Sequence, residues 1–137
     1  MPTMLERLTD AQNAHDAERM AALFAANYHS SQPAHPSRVF TGNRQVLANW
    51  TSMFEGVPDF AGRVVASCVD GELEWGELDW SGTHPDGSQF AMRGVVILVI
   101  RDDLIAAARL YVEPVEQDGE GIEVVVRELS GTDSSPS

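Results

Sequence analysis

Through the first 54 residues the apolar positions recur at three- and four-residue spacing, and after Pro58 the period shortens to two. Met4, Leu5, Leu8, Ala11 and Gln12 share one face and predict a helix over 3–16. Thr3 and Glu6 have the spacing of a capping box at its start. Asp16 opens a second predicted helix over 17–26, with Met20, Leu23 and Phe24 as its stripe. Pro33 and Pro36 exclude regular helix from 29–37. A third helix follows over 43–54, capped by Asn43 and carrying Val46, Leu47, Trp50, Met53 and Phe54. Four extended stretches then cover 60–69, 73–83, 89–101 and 104–115. Asp70-Gly71, Pro85-Asp86-Gly87 and Asp102-Asp103 separate them as hairpin turns. Residues 122–129 fit either a strand, by their three valines, or a helix, by Ile122, Val125, Val126 and Leu129. The pattern predicts one α+β domain over 1–130 and a disordered polar tail over 131–137. Three helices must cover one face of an antiparallel meander, and a bent sheet under short helices leaves a concavity for a small ligand.

Composition narrows the function classes. Nine basic against 21 acidic residues give a net charge of −12. Nucleic acid and anionic membrane surfaces are therefore poor partners. The single cysteine, Cys68, excludes an internal disulfide and a cysteine zinc cluster, and its strand position predicts a small buried hydrophobe. The chain has neither an apolar run of about 18 residues nor a basic start followed by an apolar block, so a cytoplasmic location is expected. His29, His35 and His84 lack metal-ligand spacing, and no metal is predicted.

Several local patterns carry a family resemblance. They are Asn13-Ala14-His15-Asp16, Leu23-Phe24-Ala25-Ala26 leading to Tyr28, Phe40-Thr41-Gly42-Asn43-Arg44, Arg93-Gly94, and the Asp102-Asp103 hairpin into Leu104-Ile105. In order and spacing the chain resembles the nuclear transport factor 2-like superfamily. That superfamily includes ketosteroid isomerase, the SnoaL polyketide cyclases and limonene epoxide hydrolase. The resemblance covers residues 4 to about 115. It implies a cone-shaped α+β fold, three helices on a strongly curved and mostly antiparallel sheet, a pocket at the wide end, and frequent homodimers. It does not imply one activity. The isomerase's base falls on Gln32 before Pro33, its oxyanion tyrosine on Leu8, and its protonated aspartate near Val96. Steroid isomerisation by that mechanism is thus not expected. Of the hydrolase's Asp-Arg-Asp set, Asp79 matches, Glu77 replaces the arginine, and Leu110 replaces the second aspartate. The cyclases' acid/base corresponds to Asp79 or, in another register, to Glu113.

With Val96 and Leu110 pointing inward, strand parity also sends Met92, Leu98, Ala108, Val112, Trp75, Glu77, Asp79 and Ser81 inward. Leu78, Trp80, Arg93, Arg109, Tyr111 and Glu113 then face outward. A one-residue bulge would invert any of these. Asp79 and Glu77 are the candidate acids, because two carboxylates side by side near Trp75 give one a reason to keep its proton. The plainer reading is a solvated strand face. His35, held between Ala34 and Pro36, is the candidate base or donor, or else a surface-loop histidine. Tyr28, Gln32, Trp50, Phe54, Trp75, Met92 and Leu110 are the expected ligand contacts. The predicted function is binding of a small, largely apolar molecule, with cofactor-independent isomerisation, cyclisation or hydrolysis. The alternative is a non-catalytic ligand-binding or structural homodimer. No cofactor is expected, and aromatic and arginine residues on the outer sheet face predict a homodimer there.

Overall fold

A computed structural model describes residues 1–132. The first helix, α1 (Met4–Asn13), begins at Thr3, whose hydroxyl accepts from the Glu6 N–H at 3.1 Å. Met4, Leu5, Leu8 and Ala11 are its buried apolar face. The short α2 (Ala17–Ala21) is capped by Asp16, which accepts from the Arg19 N–H at 3.0 Å. The predicted helix over 17–26 ends there, and the chain turns into strand β1 (Phe24–Ser31). A 3₁₀ turn at Pro36–Arg38 leads to β2 (Phe40–Thr41) and then α3 (Asn43–Gly56). Gly42, not Asn43, occupies the α3 cap position, and its φ of 102° favours glycine. Next come β3 (Ala61–Asp70), β4 (Leu73–Thr83), β5 (Gln89–Arg101) and β6 (Leu104–Pro114). Asp102 and Asp103 both have positive φ, as a two-residue hairpin turn requires. Residues Ile122–Ser130 form a helix, α4, ended by Gly131 in the left-handed conformation. The tail expected over 131–137 lies, from residue 133 onward, outside the described residues.

The six strands lie in the order β2-β1-β6-β5-β4-β3. Neighbours are antiparallel except β1 and β6, which run parallel. The expected four-stranded meander is thus extended by two strands that the sequence pattern hid. The helices α1, α2 and α3 cover the concave face. There Leu78, Trp80, Val96, Leu98, Ala108 and Val112 meet Leu5, Leu8, Met20, Tyr28 and Val46 in one core. Two features set the helix layer at its height. Glu74, only 9% exposed, accepts from the Met4 and Leu5 N–H groups at 3.2 and 2.9 Å, which satisfies the free donors at the α1 N-terminus. Gly76 leaves the space that the Leu5 side chain occupies.

Candidate functional site

Between the helix layer and the concave sheet lies a cavity of about 260 Å³. Leu8, Gln12 and Met20 line it from α1 and α2, and Val46, Asn49, Trp50 and Met53 from α3. The sheet contributes Phe24, Tyr28, Ser30, Leu78, Trp80, Met92, Val96, Leu98, Ala108 and Leu110. Gln32 and Phe40 complete the wall beside β1. Tyr28 packs edge-on against Phe24 and Phe40, with ring centroids 4.6 and 5.9 Å away. Trp50 stands edge-to-face with Trp80 at 5.3 Å. The lining is mostly apolar, with a few neutral polar groups: the Gln12, Gln32 and Asn49 amides, the Tyr28 and Ser30 hydroxyls, and the Trp50 and Trp80 indoles. Burial pushes the Tyr28 phenol up to about 12, partly offset by the Ser30 hydroxyl. Tyr28 is therefore an uncharged donor at neutral pH. Gln32 is oriented by Arg38, whose guanidinium donates to Oε1 at 2.9 Å.

The β4 parity reverses the expectation. Trp80 pairs with Met92, Leu78 with Gly94 and Gly76 with Val96, and these six positions share the concave side. Leu78 and Trp80 therefore line the cavity or its floor, while Trp75, Glu77, Asp79 and Ser81 project from the convex face. Asp79 and Glu77 are not pocket acids. Asp79 lies between the guanidinium groups of Arg63 and Arg93, at 3.2 and 3.7 Å. Trp75 is 40% exposed on that outer side and does not line this cavity. Phe54, also expected at the ligand, instead stacks on His15 with centroids 4.9 Å apart. His15 in turn holds the Phe60 carbonyl through Nε2 at 2.7 Å, a structural role. Cys68 is exposed rather than buried, because it pairs with Trp75 on the convex face. His35 lies outside the lining residues, with Nε2 2.6 Å from Glu113 Oε1. Tyr28, Gln32, Trp50, Met92 and Leu110 stand on the cavity wall.

Sequence reasoning missed Gln12, Ser30, Asn49 and Trp80 as lining residues. Trp80 could have been found from the column Gly76, Leu78, Trp80, Gly82. Between residues 76 and 82 that column is free of charge, with Glu74 on the same face only at the start of the strand, whereas its alternate carries Glu77 and Asp79. Among the described residues no three His, Cys, Asp or Glu side chains converge as a metal site needs. No described helix is long and apolar enough to cross a membrane.

The chain matches the SnoaL-like domain over residues 5–108. It belongs to the SnoaL-like family. Solved structures agree on the fold. A ketosteroid isomerase-like protein from Catenulispora acidiphila, crystallised with trimethylamine, is 16% identical. It covers 80% of this chain and 84% of its own, with a TM-score of 0.66. IdmH of Streptomyces antibioticus, named as a candidate polyketide cyclase, is 21% identical over 80% of this chain and 89% of its own, at a TM-score of 0.67. An NTF2-like protein from Exiguobacterium is 18% identical over 84% of this chain and 100% of its own, at 0.66. No curated protein matches the sequence. The expected α+β architecture, helices on a curved and unclosed sheet, is the one this SnoaL-like chain adopts.

Proposed function

We propose that this SnoaL-like protein binds a small, uncharged, largely apolar organic molecule in the cavity between its helices and sheet. The observation that carries this is the chemistry of the wall. Among the described residues the lining holds no carboxylate, imidazole or guanidinium, only amides, hydroxyls and two indoles set in apolar surface. Such a wall desolvates and orients a neutral guest, and it offers a charged one no partner. The same wall favours binding over proton transfer. Its sole ionisable group, Tyr28, holds its proton to about 12 and is far from matched to neutral pH. Catalysis by Asp79 and Glu77 is set aside because both leave the convex face. His35 is set aside as well. Its imidazole is held at 2.6 Å by Glu113, which belongs to the convex face, while its backbone N–H donates to the Gln32 backbone carbonyl at 2.7 Å. That arrangement supports a structural role for the histidine in the loop after β1.

Trp50 and Trp80 report on occupancy. Titration with neutral aromatic and alicyclic compounds should quench or shift their fluorescence with micromolar to millimolar affinity. A cavity that stays indifferent to every neutral probe would end the proposal.

We also propose that the chain assembles as a homodimer through the convex sheet face. Trp75 and Tyr111 are 40% and 42% exposed there, and they flank Ile97, which is itself only 5% exposed between them. Arg63, Arg93 and Arg109 share this face with Glu77, Asp79 and Glu113, so its charge balances in a molecule of net −12. A second copy meets less repulsion here than at the acidic surface elsewhere.

A further inference from the structure

One stretch of the cavity wall holds more hydrogen-bond donors than acceptors. Gln12 of α1 is 2% exposed, and it lines the cavity from the helix side. Trp80 of β4 is 8% exposed, and its Nε1–H is buried without a partner. Both approach the same point above Gly62 of β3. A Cβ there would sit 3.3 Å from Trp80 Cδ1 and 3.4 Å from Gln12 Oε1. A side chain at residue 62 would crowd both groups, and glycine leaves the spot free. The two side chains bring three N–H hydrogens and one carbonyl oxygen. If the Gln12 oxygen serves the indole, both amide hydrogens remain. If it does not, all three do. The rings beside them are Phe60 and Trp50, neither of which offers an oxygen acceptor. Water in the cavity can satisfy the Gln12 amide, while the indole N–H stays out of its reach. A guest that expels that water must take over the bonds or lose affinity.

We propose that Gln12, backed by Trp80, is the polar recognition point of the cavity, and that its ligand presents a neutral oxygen acceptor there on an otherwise apolar frame of about bicyclic size. This rests on the ligand-binding reading above and names the ligand class. A carbonyl or ether oxygen supplies the missing lone pairs. A plain hydrocarbon supplies none. An ammonium would add donors to a wall already rich in them. A carboxylate would enter without a cation to pair with.

The test compares α-tetralone with tetralin, which share a bicyclic frame and differ by one carbonyl oxygen, by calorimetric titration of the intact protein. The ketone should bind about tenfold more tightly or better. Gln12→Leu should reduce that preference to within about twofold and leave tetralin binding equal or tighter. Trp80→Phe keeps the ring and removes the N–H. It serves where the leucine variant does not fold, and it should weaken the preference in the same direction. Equal affinity of the two compounds for the unaltered protein would overturn the inference and leave ligand binding standing. So would a full ketone preference surviving in the folded variants. Failure of both compounds to bind would remove the ligand-binding reading itself.

Discussion

Glu74 brings a charge under the helix layer and spends it on the first turn of α1. Its two oxygens take the Met4 and Leu5 N–H groups, which face the favourable end of the helix dipole. Glu74→Ala leaves both donors without that partner and should cost about 2 kcal/mol in urea or guanidinium unfolding. Gly94 is constrained by backbone. A Cβ there would run into the Tyr111 carbonyl and lie 2.6 Å from Val112 Cα, atoms that cannot rotate away. Gly94→Ala should therefore destabilise by about 3 kcal/mol or abolish soluble expression. By contrast Gly71→Asn, in an open turn at a φ of 58°, should be tolerated within about 1 kcal/mol. Tyr28 has a pH signature. The unfolded phenol titrates near 10.0 and the folded one near 12. Below 10 both states keep the proton and stability does not respond. Between 10 and 12 the unfolded chain ionises first, so stability falls as pH rises. On the order of 2–3 kcal/mol is lost by the upper end. Tyr28→Phe should flatten this alkaline limb in thermal melts, and an unchanged limb would place the phenol in water.

The elements that could be read from the sequence are those whose partners are local. Met4, Leu5, Leu8 and Ala11 fix α1 by their spacing, and the Asp102-Asp103 turn fixes the β5–β6 hairpin. Strand β1 escaped because its partner is distant. Ser30 pairs with Ala108 across a parallel ladder, and nothing near residue 30 announces it. Its first residue, Phe24, also completes a helical stripe with Met20 and Leu23, so the local pattern pointed the wrong way. The inversion of β4 has a different cause. Trp75 and Trp80 lie on opposite faces of one strand, so either parity offers an aromatic core residue. The register with Met92 decides between them, and register is a property of the pair, not of one strand. The site followed suit. Trp50 of α3 and Met92 of β5 were legible, Phe54 was not because it turns to His15, and the acids were not because two of them shared the wrong face. Helix α4 was ambiguous because it packs little, with only Val124 and Val125 half-buried. It has no buried residue, and Ile122 and Leu129 are 74% and 83% exposed. Removing residues 118–137 should therefore leave unfolding stability within about 0.5 kcal/mol. A larger loss would mean that α4 finds a surface in solution.

On the whole molecule, charge decides where a second copy can approach. The convex face pairs in rows: Glu77, Val95 and Tyr111 lie side by side across β4, β5 and β6, and Trp75, Ile97 and Arg109 form the next row. Asp79 is already engaged by Arg63 and Arg93, whereas Glu77 and Arg109 form no ion pair among the described residues. Those two occupy opposite corners of the patch. A two-fold axis along the other diagonal, from Trp75 to Tyr111, brings Glu77 over Arg109 of the partner subunit, and the reverse contact follows by symmetry. The aromatic side chains near the axis are then covered, and the two free charges meet their complements at the rim. Sedimentation should give about twice the 14.9 kDa chain mass. Added salt screens the −12 on each copy more than it weakens two rim pairs. Dimerisation should thus tighten between low and moderate ionic strength. Arg109→Glu sets like charges against each other at both corners and should weaken the dimer tenfold or more. Adding Glu77→Arg restores opposite charges in exchanged positions and should recover most of that loss. Recovery by the double variant distinguishes this axis from any other use of the face. A dimer indifferent to both changes would have to be built elsewhere, and a monomer at all concentrations would leave Trp75 and Tyr111 facing water.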